Sequence, residues 1–417
     1  MQGPSLSRRR VVALALGLSA PPALRCAAPD GRVKITGFNI HKATLRWRDL
    51  VFLEVKTDAG LTGLGEATLE GRADIVEAAL RWLEEDFVGR DPSGAEEHWN
   101  RAYYQLSRWR NGPAAMSALS AVDIALWDLE AKRVGVPLWR LLGGRLRTKS
   151  RVYYTHWGAS LEDRRTPEAF RDWAIETRRR GWTAVKWTLA ADGTEPERTA
   201  RACAELEAVR AAVGNSMDLC LEAAETFSVR SAIEFARAVG KYRPLWIEEP
   251  TLRENPAGLG EVAAKSPVPI ASGEGLFSRF EFRLLLEARG AAVIQPDVLH
   301  CGGITEIRKV ANMAEAYGVE IAPHQCSGPI AHVASVAAMS VCRNFLVQEW
   351  EAADDAVYGE LTHGTYPAQQ NGYVELSERA GLGVEVDFAG FTRRFPFKPT
   401  RRRALIDASS EESVGHW

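Results

Sequence analysis

Six ionisable residues recur at nearly even spacing, and each closes a short apolar run. Glu222 ends Leu-Cys-Leu-Glu, Glu248 ends Leu-Trp-Ile-Glu and Glu274 ends Pro-Ile-Ala-Ser-Gly-Glu. Asp297 ends Val-Ile-Gln-Pro-Asp, His324 ends Ile-Ala-Pro-His and Glu349 ends Phe-Leu-Val-Gln-Glu. Successive members lie 26, 26, 23, 27 and 25 positions apart. Three carboxylates brought to one place repel one another unless a hard divalent cation neutralises them. An all-oxygen donor set suits Mg2+, and Mn2+ could substitute. Glu222, Glu248 and Glu274 are therefore candidate metal ligands; the alternative for each is an ion pair with a rim Lys or Arg. Asp297 and His324 form a second candidate group. A carboxylate beside an imidazole fixes its tautomer and raises its basicity, which makes a general base; the alternative is a core histidine bonded to backbone. Lys186, in Ala-Val-Lys-Trp-Thr188, could bind a substrate carboxylate, act as a base or neutralise Glu222, and the first role is favoured. Glu349, His156 and Tyr154 are further candidates for contact with substrate.

Residues so far apart act together only if the fold gathers them. Strand-like runs separated by helix-like sequence are the beat of repeated βα units. Closed into a (β/α)8 barrel, such units place every strand C-terminus around one mouth. Val152–Trp157 reads as the first strand, Ala184–Thr188 as the second, and the six runs above as the third to eighth, the number a closed barrel needs. Between them, Ile304, Ile307, Val310, Ala311 and Ala314 keep a helical spacing that Gly318 stops. The predicted fold class is α/β, a TIM-type (β/α)8 barrel at residues 150–355. An α+β capping domain at 31–149 precedes it, with a strand from Val33 and a hairpin turning at Asp58-Ala-Gly60. A segment at 356–417 returns to the capping domain and ends in a solvated basic stretch from Arg401. The capping loops around His41 to Arg48 and Glu66 to Arg72 are expected to choose the substrate.

Composition excludes several classes. Lys+Arg number 52 against Asp+Glu 54, for a net charge of −2, so no basic excess points to nucleic acid. Hydrophobic residues make up 46% of the 417, enough for a large core. No apolar run in the body reaches spanning length, so no membrane is expected for the mature chain. The six cysteines form no CxxC pair and read as core residues or free thiols. Residues 1–30 differ from the rest: Arg8-Arg9-Arg10 precedes an apolar stretch and then Pro21-Pro22. This is the pattern of a twin-arginine signal peptide, which places the protein in the periplasm. The alternative is a disordered leader and a cytoplasmic protein.

Several stretches together carry a resemblance. They are Thr57-Asp-Ala-Gly-Leu-Thr-Gly-Leu-Gly-Glu66, Ser120-Ala-Val-Asp-Ile-Ala-Leu-Trp-Asp128, Pro137-Leu-Trp-Arg-Leu-Leu-Gly-Gly144, Ile247-Glu-Glu-Pro250, Gln295-Pro-Asp-Val298, Gly302-Gly-Ile-Thr305 and Ala322-Pro-His-Gln-Cys-Ser-Gly-Pro329. Over about Val33 to Val386 the chain resembles the enolase superfamily in its mandelate racemase/muconate lactonizing enzyme branch, and is most similar to the acid-sugar dehydratases of galactonate dehydratase type. The resemblance implies an enolase C-terminal-like barrel, Mg2+ on Glu222, Glu248 and Glu274, and a His324–Asp297 dyad as base. It also shows departures. Thr188 stands where the racemases carry a second lysine, Glu222 where Asp is usual, and Ala224 where galactonate dehydratases carry a second histidine as leaving-group acid. The implied activity is a hydro-lyase: proton abstraction beside a carboxylate, loss of water through an enediolate, and a 2-keto-3-deoxy acid product. With Ala224 in that place, His324 is expected to return its proton to the departing hydroxyl. A racemase or epimerase of a 2-hydroxy acid is the alternative, and a carbohydrate-acid binding protein the non-enzymatic one. The expected partners are a small acid sugar and further copies of the chain.

Overall fold

The computed structural model describes residues 33–190 and 192–399. The segment read as an export signal and the basic stretch from Arg401 lie outside them. The first domain opens with an antiparallel sheet of β1 (Ile35–Leu45), β2 (Arg48–Thr57) and β3 (Thr62–Glu66), in that order. The helix Pro113–Val134 lies directly on β3. An added Cβ at Gly63 would sit 2.1 Å from the Ala125 carbonyl oxygen, and one at Gly65 2.1 Å from that of Ala121. Two glycines spaced by one residue give one bare face of a strand, which is what so close a helix requires. The helix starts with Pro in its first turn and stops at Gly135 in the left-handed conformation, φ 72°.

The barrel is built from β4 (Lys149–Tyr154), β5 (Ala184–Thr188), β6 (Asp218–Glu222), β7 (Trp246–Glu248), β8 (Ile270–Ser272), β9 (Val293–Ile294), β10 (Glu320–Ile321) and β11 (Gln348–Trp350). All run parallel in chain order, and β11 returns to pair with β4. A parallel bridge between Ile321 and Phe345 closes the remaining seam. Tyr153, Ala184, Cys220, Trp246, Ala271, Val293, Ala322 and Val347 form a separate inner cluster, one residue from each strand segment. Trp246 and Tyr153, edge to face at 5.5 Å, supply most of its bulk among small neighbours. Alternate residues such as Val185, Leu219, Leu221, Ile247 and Ile294 point outward to the helices.

Two carboxylates dock the first domain on the barrel. Glu66, at the end of β3, accepts the Gly328 and Ala331 N–H groups at 2.6 and 3.0 Å, capping the helix Pro329–Met339. Asp123 accepts the Thr305 N–H at 2.9 Å, at the start of the helix Gly303–Ala316. Both helices thereby gain an acceptor where their free N–H groups point. Asp128 joins three segments, accepting from Leu64 and Leu382 at 2.8 Å each and pairing with Lys132 at 2.6 Å. The C-terminal segment is seated on both domains. β12 (Tyr373–Glu375) pairs antiparallel with β4, and Pro396 bridges Ala43 of β1.

The stretch from His41 is a correction. It was expected among the capping loops, but β1 runs on to Leu45, because residues 42–45 pair with Arg48–Val51 across a tight turn. His41 stacks on Phe388 at 4.3 Å and bonds Glu54, away from the barrel mouth. The cysteines among the described residues are all free and, Cys203 apart, buried. No helix among the described residues is long and apolar enough to cross a membrane.

Candidate active site

A cavity of about 900 Å3 opens at the C-terminal ends of the barrel strands, under the Thr68–Glu70 loop of the first domain. Glu222 and Glu248 end β6 and β7, and Glu274 follows β8 by two residues. One carboxylate oxygen from each lies within 4.8 Å of the others. Glu248 is held from the barrel interior: its Oε2 accepts from Trp246 Nε1 at 2.9 Å and from Gln295 Nε2 at 2.6 Å. Glu222 accepts the Ala224 N–H at 2.6 Å. Burial pushes the Glu222 carboxyl well above the usual range, the Glu248 charge pushes it further, and Lys186 pulls the other way. A buried, oxygen-only cluster that disfavours its own ionisation fits a hard divalent cation.

Lys186 Nζ hydrogen-bonds Glu248 and lies 2.9 Å from Glu349 and 3.7 Å from Glu222. Burial disfavours its charge, but those carboxylates overcome it and hold the ammonium well above its ordinary pKa. Lys186 thus neutralises carboxylates inside the cluster, the role that stood as the alternative to clamping a substrate carboxylate. His324 Nδ1 lies 2.7 Å from Asp297 Oδ2, which fixes the ring and turns Nε2 to the cavity, 3.5 Å from Glu274 and 3.8 Å from Glu349. Asp297 is fully buried; the His300 and His324 rings and the Leu299 N–H outweigh that burial and keep it ionised below the usual range. Burial lowers His324, but Glu349 and Glu274 raise it well above the ordinary imidazole value. Glu349, also buried, is held ionised by Lys186, His324 and Thr155.

These features place the site in a lineage. The chain matches the model of the mandelate racemase/muconate lactonizing enzyme N-terminal domain over residues 27–143 and that of the enolase C-terminal domain-like family over residues 169–390. It belongs to the enolase superfamily, in the mandelate racemase/muconate lactonizing enzyme family. Among its relatives, the D-galactonate dehydratase of Ralstonia nicotianae is 36% identical over 405 residues, covering 92% of this chain and all of that one. The D-galactonate dehydratase of Variovorax paradoxus is 36% identical over 369 residues, covering 85% of this chain and 92% of its own. The crystal structure of a mandelate racemase/muconate lactonizing enzyme from Sulfitobacter sp. superposes with a TM-score of 0.82 at 28% identity, covering 92% of this chain and all of that one.

For a member of this family, the structure gathers Lys186, Glu222, Glu274, His324 and Glu349 around one cavity, with His156 on its wall. Glu248 and Asp297 support them from beneath. Tyr154 is the exception and corrects the reading made of it. Strand alternation sends Tyr153 inward and Tyr154 outward, where it packs on Trp182 at 5.3 Å. Thr188 and Ala224 occupy the departures noted above, and Thr188 lines the cavity. Several residues escaped the sequence reading. Gln295 and Trp246 brace Glu248. His300 lines the cavity with Nδ1 3.0 Å from Ser117 Oγ and Nε2 3.8 Å from Asp297. Arg253 lines it while pairing with Glu225 at 3.3 Å. His300 lies only three residues past Asp297, the one signal that could have flagged it.

Proposed function

We propose that this protein is a carbon–oxygen hydro-lyase, a dehydratase of acid sugars (aldonates) that yields 2-keto-3-deoxy acids. The observation that carries the reading is the pairing, in one cavity, of the three-carboxylate cluster with an imidazole oriented by a buried aspartate. The relatives named D-galactonate dehydratase support the substrate class. Glu222, Glu248 and Glu274 would hold Mg2+, or Mn2+ in its place, which when bound supplies Lewis-acid stabilisation of charge developing on a substrate carboxylate. Lys186 sits where its ammonium can share in binding that carboxylate. His324 takes the proton at C2 onto Nε2, while Asp297 steadies the imidazolium through Nδ1. Thr188 offers no base from the strand-two side, which favours elimination over racemisation, since the latter needs a group on each face.

The test is a panel of C5 and C6 aldonates, beginning with D-galactonate, incubated with the enzyme and Mg2+. A 2-keto-3-deoxy acid product and exchange of the C2 hydrogen with solvent are expected. Exchange with no keto acid would favour an epimerase, and binding with neither would favour a binding protein. We also propose export by the twin-arginine route. Arg8→Lys with Arg9→Lys should hold the protein in the cytoplasm, and finding the wild-type chain there with its N-terminus intact would refute export.

A further inference from the structure

A second imidazole–carboxylate pair stands at the same mouth. His156 follows β4, and its Nδ1 lies 2.5 Å from Glu351 Oε2. Its φ of 47° is a left-handed backbone that a residue with a side chain adopts only when its surroundings impose it. Trp47, from the turn between β1 and β2, meets the ring edge-on at 5.2 Å. Glu351 is buried one residue past β11 and faces Arg48 at 3.6 Å. Arg48 in turn pairs with Asp354 and donates to the Cys326 carbonyl, so the first domain and the barrel together clamp the carboxylate. The imidazole remains about a third exposed and lines the cavity that holds Lys186 and His324. Among the described residues nothing bonds its Nε2, which leaves that atom for a ligand.

The position is informative. β4 lies between β5, which carries Lys186, and β11, which carries Glu349. Thr155, beside His156, donates to Glu349 at 2.5 Å, and Glu349 contacts Lys186 at 2.9 Å. His156 therefore enters the cavity from strand one, whereas His324 enters from the loop after strand seven. With Nδ1–H bonded to Glu351, a protonated ring presents Nε2–H to the cavity. Burial raises Glu351, yet its bond to His156 and the charges of His156 and Arg48 hold it below the usual carboxylate range. A buried carboxylate bonded to Nδ1 fixes the ring and its tautomer, with Nε2 toward the cavity.

We propose that His156, positioned by Glu351, is the proton donor to the departing C3 hydroxyl, a role that rests on the dehydratase reading above. His324 takes the C2 proton and leaves its electron pair in the enediolate. Collapse of the enediolate forms the C2–C3 double bond and breaks the C3–O bond. The departing oxygen keeps that bond's electron pair, takes the Nε2 proton of His156 and leaves as water. His156 is left neutral and regains a proton from solvent. The enol product then loses its hydroxyl proton and gains one at C3 to become the keto acid. The two histidines thus divide the work that would otherwise fall to His324 alone.

The test uses a leaving group that needs no proton. The aldonate turned over fastest in the panel is compared with its 3-deoxy-3-fluoro analogue, in wild type and in His156→Gln. Loss of water should fall about 10²-fold or more, the lower end of what a general acid contributes. Loss of fluoride and C2 deuterium exchange should stay within a few-fold of wild type, which also shows that the variant is folded. Glu351→Gln should give the same selective loss on a smaller scale, as expected of a positioning residue. Equal slowing with both leaving groups would reduce His156 to a binding residue and overturn the proposal. Unchanged water loss would return the step to His324. If the wild-type enzyme neither exchanges C2 hydrogen nor dehydrates any aldonate of the panel, the dehydratase reading itself falls, an outcome distinct from an active wild type with an unaffected variant.

Discussion

Two groups of buried carboxylates in this molecule are treated oppositely. At the junction between the domains, Glu66 and Asp123 each stand at a helix N-terminus and are bonded by backbone N–H groups. Glu66 has three donors, counting Thr68 at 2.8 Å. At the barrel mouth, Glu222, Glu248 and Glu274 crowd together, and Glu349 lies beside them. Lys186 reaches Glu222, Glu248 and Glu349, while Glu274 meets His324. The junction carboxylates take N–H and hydroxyl donors from the chain itself, although Asp123 Oδ1 has no partner among the described residues, and so they serve cohesion. The mouth has more negative charge than its own cations offset, and that excess makes it a site for a ligand.

The comparison can be broken at the mouth first. Glu248→Gln removes the proposed metal ligand that Trp246 and Gln295 hold in place. Turnover should fall below detection and calorimetric Mn2+ binding should be lost, while circular dichroism stays that of wild type. Wild-type metal binding in this variant would remove the contrast altogether. Next, His324→Asn keeps a polar side chain but removes the proposed base. Dehydration and C2 deuterium incorporation should both drop by about 10²–10⁴-fold, with metal binding intact. Persisting exchange in this variant, together with its loss in Lys186→Ala, would make Lys186 the base and move the racemase reading ahead.

The junction should answer through stability instead. Glu66→Gln places an amide donor against a backbone N–H and should cost about 1–3 kcal/mol in chemical denaturation, with kcat little changed. The smallest effect is a pH dependence. Burial pushes Glu66 up to about 7, although Thr68, Ala331 and Gly328 bond its ionised form. Its folded pKa is therefore above the unfolded value of 4.5. Between these values the native state binds the extra proton, so this residue's contribution to stability falls as pH rises from about 4.5 to about 7. The glutamine variant does not titrate there, so its deficit against wild type should narrow across that window. A deficit that widens instead would mean that Glu66 is ionised throughout and its hydrogen bonds outweigh its burial.

The mouth was largely legible in the sequence because barrel geometry turns even spacing into convergence. Each apolar run closed by an acid or histidine had one place to go. Where the reading failed, the local pattern was ambiguous. Val-Tyr-Tyr-Thr-His does not reveal which tyrosine faces inward, and the pleat assigned Tyr153 to the interior. Arg48 opens β2 in a stretch read as loop, so its pairing with Glu351 and Asp354 could not be anticipated. The junction was nearly invisible. Glu66 meets Gly328 across 262 positions and Asp123 meets Thr305 across 182. No periodicity spans such distances. Its trace was indirect, in glycines: a Cβ at Gly328 would lie 2.5 Å from the Glu66 carboxylate, and one at Gly303 2.4 Å from that of Asp123.

The seat of the C-terminal segment bears on how the chain comes to be assembled. Pro396 closes against Ala43, and Leu382 fills an acceptor on Asp128, so the first domain borrows its last neighbours from the far end of the polypeptide. During synthesis, that flank of β1 must wait, uncovered, while every barrel strand emerges. Contacts of such sequence separation carry a high loop-closure cost and slow folding, and an uncovered strand edge invites pairing with another chain. The stretch from Leu382 to Pro396 therefore acts as the stitch that finishes the first domain, and a ribosome that stalls before it releases a molecule with its opening seam undone.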